Sequence, residues 1–291
     1  MNQTVYFKYF VLLSLFIGLP IEAKLLKPSK DGEKKEILLI NGKRRLYYPV
    51  ETKGLTYSVD GPTRLEFISR YPVLKNKNKS NPFSYRIIVD NKDTIMVNHR
   101  YKVQKSIKSV QHPKHKYTYS GNYFINLGIG RHKVVIIPEK RQKYPVLMRV
   151  LLKEFGIVGK KKKILQPMIH QNSLKLKVGE NEVSYYECTS KYPLTIEARG
   201  EKTLRILSRL QFSDAMGQEE SYRIKVKEKN KIIGTYYFNS ERSPNSHIIE
   251  RLDMVPGKWR TCEIRVPKGS HQYTIEVPDR HKTVLTRFML Y

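Results

Sequence analysis

GRHKVVIIPEK, residues 130–140, and GSHQYTIEVPDR, residues 269–280, write one pattern twice. In each, a Gly leads into a His whose face continues at every second position: Val134 and Ile136 follow His132, and Tyr273 and Ile275 follow His271. A period of two is the signature of a strand with one buried face. Upstream of the second copy, Cys262, Ile264 and Val266 alternate with Glu263 and Arg265. The connector Pro267-Lys268-Gly269 supplies a φ near −65° and then a positive φ, as a three-residue hairpin loop with a bulge requires. Gly128-Ile129-Gly130 fills the same slot in the first copy.

Reading outward from the two hairpins, the matches continue in order. Gly42 corresponds to Gly179, and Tyr47-Tyr48 to Tyr185-Tyr186. Gly61, Leu65, Ser69 and Arg70 correspond to Gly200, Leu204, Ser208 and Arg209. SYRIIV from Ser84 returns as SYRIKV from Ser221, and LMRVLL from Leu147 as LTRFML from Leu285. The offset stays between 137 and 140, so insertions are small and both units share one fold. The units are placed at residues 36–154 and 173–291, with a basic segment at 24–35 and a basic linker at 155–172. Runs such as Arg45–Thr52, Thr63–Arg70, Phe83–Asp90 and Val146–Lys153 give each unit eight or nine short strands, and almost nothing reads as a helix. The expected fold class is all-β: two tandem homologous β-sandwich, jelly-roll-like domains after a cleaved signal peptide.

A unit ending in VPKGSHQYTIEVP, residues 266–278, and then a last strand resembles the jelly-roll sandwiches of galactose-binding-like proteins and carbohydrate-binding modules. That resemblance implies the sandwich fold. No calcium or sugar ligands of those families have counterparts in this sequence, and none are carried over.

At the N-terminus, Lys8 precedes the apolar run VLLSLFIGLP and then Ile21-Glu22-Ala23, the arrangement of a secretory signal peptide over residues 1–23. The run is shorter than the roughly 20 residues needed to span a bilayer. No later stretch is apolar enough to cross. The mature chain is expected to be exported, periplasmic or extracellular, without a transmembrane segment.

The formal net charge of +29 is unevenly placed. Unit one carries 24 Lys and Arg against 8 acids, whereas unit two carries 21 against 15. Val97 to Tyr119 holds no acid at all, and its counterpart in unit two is mixed in sign. Arg100, Lys102, Lys105, Lys108, Lys114 and Lys116, interleaved with Tyr101 and Tyr117, are the candidate polyanion-binding residues: cations neutralise a polymer's charge while flat rings stack on its sugars. The plain alternative is a solvated basic loop. For an exported protein the expected partner is an anionic polysaccharide, lipopolysaccharide or an envelope protein, with nucleic acid less accessible.

No Gly-x-Ser-x-Gly, His-Glu-x-x-His or phosphate-loop pattern occurs, so no catalytic residue, cofactor or metal is assigned and the chain is expected not to be an enzyme. His112 and His115 lie close together, but Lys114 and Lys116 oppose a dication and no carboxylate is near in sequence. His132 and His271 read as half-buried strand histidines. Cys188 and Cys262 fall on core-type positions of unit two and form a disulfide candidate in an oxidising compartment, against the alternative of two free core thiols. The resulting expectation is a non-enzymatic binding protein for an anionic glycan or envelope polymer. The alternative is a structural or accessory subunit docking on another envelope protein.

Overall fold

The period-two stretches become strands, and no helix forms among residues 23–74, 80–139, 142–153 and 161–291, which a computed structural model describes. Residues 1–22 of the expected signal peptide, and 155–160 of the expected linker, lie outside the described residues. Unit one comprises β1 (Lys24–Leu26), β2 (Glu36–Ile40), β3 (Lys43–Val50), β4 (Leu55–Arg70), β5 (Pro72–Val73), β6 (Asn81–Val89), β7 (Asp93–Tyr101), β8 (Val103–Gln104), β9 (Lys108–Ser109), β10 (Lys116–Thr118), β11 (Gly121–Pro138) and β12 (Val146–Lys153). Unit two comprises β13 (Lys163–Leu165), β14 (Ser173–Val178), β15 (Asn181–Cys188), β16 (Leu194–Arg199), β17 (Lys202–Phe212), β18 (Glu219–Glu228), β19 (Lys231–Glu241), β20 (Ser246–Ile248), β21 (Val255–Pro256), β22 (Arg260–Val266), β23 (Ser270–Glu276) and β24 (Val284–Leu290).

Each unit is a sandwich of a front and a back sheet. In unit two the front sheet runs β20-β14-β15-β24-β17-β22 and the back sheet β16-β23-β18-β19. In unit one the long strands β4 and β11 serve both sheets. Thr63–Ser69 pairs with Gly121–Leu127 in front, and Leu55–Gly61 pairs with Gly130–Ile136 behind. The corner falls at the repeated glycines. Gly130 and Gly269 have φ of 119° and 108°, a region that favours glycine. A Cβ on Gly61 would lie 1.8 Å from the Gly128 carbonyl oxygen, and one on Gly200 1.5 Å from that of Pro267.

The sequence-based boundaries need one correction. Lys24–Leu26 pairs antiparallel with Val150–Leu152, and Lys163–Leu165 with Phe288–Leu290. Lys30 then bridges to Thr56, and Ile169 to Thr195, at the same 139-residue spacing. Segments read as a basic leader and a linker therefore contribute the first strand of each sandwich, because their apolar residues extend the sheet edge beside the last strand.

The two units are also joined. Each unit keeps its own core, one around Tyr57, Phe67, Tyr85 and Val134, the other around Phe212, Tyr222, Ile224 and Phe288. Yet the two share a sheet: β19 pairs parallel with β11, with Tyr123, Phe124 and Ile125 opposite Thr235, Tyr236 and Tyr237. Phe124 stacks on Tyr236, centroids 4.4 Å apart, and belongs to the core of unit two, while Tyr237 packs against that of unit one. Arg64 of unit one reaches Glu263 of unit two at 2.6 Å, both side chains at most 10% exposed. Removing one member of a buried pair strands the other charge, a penalty of about 3–5 kcal/mol, so this contact favours a single docking geometry.

The disulfide reading is also corrected. Cys188 lies on β15 and Cys262 on β22, with β24 and β17 between them. Three strand spacings amount to about 14 Å, twice the roughly 7 Å limit between bridged Cα atoms. Both are free, buried thiols, and burial pushes Cys188 up to about 12 and Cys262 higher still. Native protein at pH 8 is expected to show neither thiol to a thiol-reactive dye, and unreduced protein in denaturant to show both. A count of zero in denaturant would establish the bridge instead.

Gly200→Ala is expected to lower stability by about 3 kcal/mol, because its Cβ would meet backbone rather than a movable side chain. Chemical denaturation of the full chain measures this, and a cost under 1 kcal/mol would show that the corner relaxes freely.

Candidate functional site

The strand pairs Ser69-Arg70 and Ser208-Arg209 put one side chain on each face of the front sheet. Inward, Tyr85 OH donates to Ser69 Oγ at 3.4 Å, and Ser208 Oγ lies 2.8 Å from Tyr222 OH. Outward, the arginines hold a flap. Arg70 Nη1 donates to the Thr118 carbonyl at 2.7 Å and Gln104 Oε1 at 3.0 Å, and its Nε to Tyr47 OH at 3.3 Å. Arg209 Nη1 donates to the Gly257 carbonyl at 2.8 Å and Ser246 Oγ at 3.2 Å, and its Nε to Tyr185 OH at 3.4 Å. The flap of unit one, residues 103–118, packs Ile107 and Tyr117 on Leu38, Tyr47 and Leu147. That of unit two packs Ile248 on Leu174, Leu176, Tyr185 and Leu285.

The acid-free stretch thus folds around an acid supplied from elsewhere. Glu36 of β2 is buried beneath it, and a buried carboxylate needs donors. It receives Ser109 Oγ, Tyr117 OH at 2.9 Å and the His112 ring at 2.9 Å. Tyr117 is therefore not a surface platform: it is 1% exposed, and burial raises its hydroxyl pKa. Tyr101 is half-buried beside Phe83 and His99. Lys102, Lys105, Lys108, Lys114 and Lys116 are exposed on or beside the flap, and Arg100 is exposed on β7. Register brings Lys105, the turn residue after β8, beside Lys116 of β10, since Gln104 faces Tyr117. Among the described residues none of these six cations forms an ion pair. The acids of unit one are largely engaged: Glu51 with Lys34, Asp60 with Arg131, Glu66 with Lys153, Asp90 with His132 and Glu139 with Arg86.

The repeated histidines brace the hairpins. His132 Nδ1 contacts Asp90 at 2.7 Å and its Nε2 the Gly128 carbonyl at 3.1 Å. His271 does the same with Glu228 at 2.6 Å and the Lys268 carbonyl at 3.2 Å, and the hydrogen bond to Glu228 raises its pKa.

Beside each flap the outer face of the front sheet opens into a groove. In unit one it holds about 740 Å³, lined by Lys24, Arg45, Tyr47, Arg70, Asn122 and Arg149, with no acid on its walls. Burial, reinforced by Arg45, lowers the Arg149 pKa. In unit two the equivalent groove holds about 920 Å³, and its walls include Arg205, Arg209, Asn239, Asn245 and Trp259, with Asn126 from unit one. Trp259, the only tryptophan, is 57% exposed there. Sequence reasoning missed it, although a lone Trp between Lys258 and Arg260 just after a Pro-Gly turn was the available signal. Among the described residues no cluster of three or more potential metal ligands forms, and no helix is long and apolar enough to cross a membrane.

No family model matches the chain, and no curated protein matches its sequence. Among solved structures it is similar to the N-terminal CBM22-1–CBM22-2 tandem domain of Paenibacillus barcinonensis Xyn10C, at 11% identity over 94% of this chain and 99% of that one, with a TM-score of 0.24. It is also similar to the tandem CBM51 modules of Sp3GH98, the family 98 glycoside hydrolase of Streptococcus pneumoniae, at 11% identity, 92% and 93% coverage and a TM-score of 0.22. The ANX2 ectodomain of Arabidopsis thaliana matches at 7% identity, 92% and 94% coverage and a TM-score of 0.27. At such values none of these likenesses assigns a family, ligand or activity to this chain.

His99 gives unit one a measurable acid limit. Its ring packs among Phe83, Tyr85 and Tyr101, and burial lowers its pKa to about 4. Because the folded state disfavours the protonated ring, its contribution to stability is complete above about 6.5, the unfolded value, and is lost as pH falls toward 4. NMR titration should place His99 near 4, with His271 above 6.5. Midpoints of denaturation should fall across the lower window, and a His99 titrating at 6.5 would contradict the burial.

Proposed function

We propose that this is an exported, non-enzymatic binding protein, periplasmic or extracellular, that holds an anionic polysaccharide or lipopolysaccharide on the basic flap of unit one. One observation carries the reading: Arg100, Lys102, Lys105, Lys108, Lys114 and Lys116 are exposed without acid partners, while most acids of the same unit are engaged. Unneutralised cations crowded on one surface raise the local concentration of a polyanion and release its counterions on contact. Glu263 is the one acid on the groove of unit two, held between Arg64 and Arg205 at 2.6 and 3.2 Å, whereas most glycoside hydrolases need two carboxyl groups across the bond.

The accessory-subunit reading has one supporting feature. Among the described residues β7 pairs only with β6, so its outer edge is open there, where the equivalent edge of unit two, β19, is occupied by β11. A partner strand could add there, and Arg100 would then lie in the contact.

The test is charge reversal in the full chain: Lys105→Glu, Lys114→Glu and Lys116→Glu together, against Lys202→Glu, Arg265→Glu and Lys268→Glu in unit two. On immobilised polygalacturonate and on lipopolysaccharide, the flap variant should lose about tenfold or more in affinity, and wild-type binding should fall steeply between about 50 and 200 mM salt. The unit-two variant should lose much less. Equal affinity of both variants and wild type for both polymers would leave the flap a solvated loop.

A further inference from the structure

Arg209 is 4% exposed, and among the described residues no carboxylate lies within ion-pair reach of it. Its Nε and Nη1 are spent on Tyr185, Ser246 and the Gly257 carbonyl, all uncharged, and its Nη2 has no partner. The residue also lines the 920 Å³ groove. A guanidinium this deeply buried without a counter-charge is costly, and an oxyanion entering the groove is the group that completes its donor fork. Arg70 repeats the arrangement in unit one, at 5% exposure, with Nη2 again unpartnered and lining the equivalent groove. Two copies of one uncompensated buried cation, each at an open groove, form a feature of the fold rather than a surface accident.

Unit two adds what a sugar requires. Trp259 offers an exposed indole face, and Asn239 and Asn245 offer exposed amides whose side chains have no partner among the described residues. The other cations on the walls are already engaged: Arg205 with Glu263, Lys258 with Glu241, and Arg260 with the Asn239 and Trp259 carbonyls. We infer that the groove of unit two is a site for an acidic sugar residue, whose oxyanion pairs with Arg209, whose ring lies on Trp259 and whose hydroxyls meet Asn239 and Asn245. Asn126 of unit one completes one wall, so the site belongs to the docked pair of units. The groove volume is within the usual range of roughly 300–1,000 Å³ for ligand pockets.

This site stands apart from the flap, and one fluorophore reads it. Trp259 is the only tryptophan in the chain, so its emission reports the groove alone. Hexagalacturonate and a chondroitin 4-sulfate hexasaccharide, titrated separately into the full chain, are expected to shift that emission saturably, and the tighter of the two tells carboxylate from sulfate. Maltohexaose, which is uncharged, is expected to leave it unchanged at the same concentrations. Arg209→Lys keeps the charge but loses the fork, and should weaken the response about tenfold. Trp259→Ala, made in the flap-reversed chain and followed by calorimetry, should remove the remaining binding without disturbing the fold, and it decides the matter if Arg209→Lys misfolds. The flap-reversed chain should keep the full emission response, which separates this site from the flap. No saturable shift with either acidic hexamer, equal binding of maltohexaose, or unchanged calorimetry in Trp259→Ala would overturn the inference.

Discussion

Arg70 and Arg209 leave buried strands on the outer face of their sheets and donate to flap carbonyls, at 2.7 Å to Thr118 and 2.8 Å to Gly257. A hydrogen bond from a charged donor contributes about 1.5–3 kcal/mol, and in unit one it acts together with the contacts of Ser109, His112 and Tyr117 to Glu36. This anchoring sets what the flap presents. It seats Ile107 and Tyr117 in unit one and Ile248 in unit two, closes one end of each outer face and leaves the other end as a groove. Because the arginine spends only part of its fork on the flap, the same residue that builds the groove leaves a donor facing it.

Duplication then allowed the two surfaces to diverge without disturbing the frame. The internal contacts are copied nearly atom for atom: serine to tyrosine, arginine to tyrosine, histidine to acid and to a loop carbonyl. What differs is exposed. Unit one presents the unpaired cations of its flap, while the groove of unit two presents Trp259 beside Arg205, Lys258 and Arg260, which are matched to acids and carbonyls. The position of Trp259 is Ser120 in unit one, so the indole is an addition to a shared groove. Charge attraction is long-ranged and loosely oriented, whereas stacking and a guanidinium fork are short-ranged and directional. A chain with both could capture a polymer on one unit and read a single residue of it on the other.

Coupling between the units constrains this division. The parallel pairing of β11 with β19, the Phe124–Tyr236 stack and the buried Arg64–Glu263 pair link the two sandwiches through one sheet. Gly234 takes part by absence, since a Cβ there would come within 2.7 Å of the Phe124 ring. Groove and flap thus keep a set relation to each other, as a two-point contact with one polymer would need.

By itself the sequence determined the elements and their duplication. Alternation around Cys262–Val266 and His271–Ile275, the Pro-Lys-Gly loop and the ordered matches at near-constant offset are local signals, and strands form where backbone period and side-chain face agree. It also exposed the basic bias of unit one, because charge is additive along a chain. Tertiary structure decided every question of neighbourhood. Tyr117 reads as a surface ring until Glu36, from a strand far upstream, takes its hydroxyl. Cys188 and Cys262 read as partners until two strands come between them. Tyr123-Phe124-Ile125 is apolar on both faces, the mark of a strand covered twice, yet which strand covers it is settled only by β19 arriving from the other unit. Strand order, and with it which side chains meet across a groove, depends on contacts between residues up to 199 positions apart, and no local period encodes those.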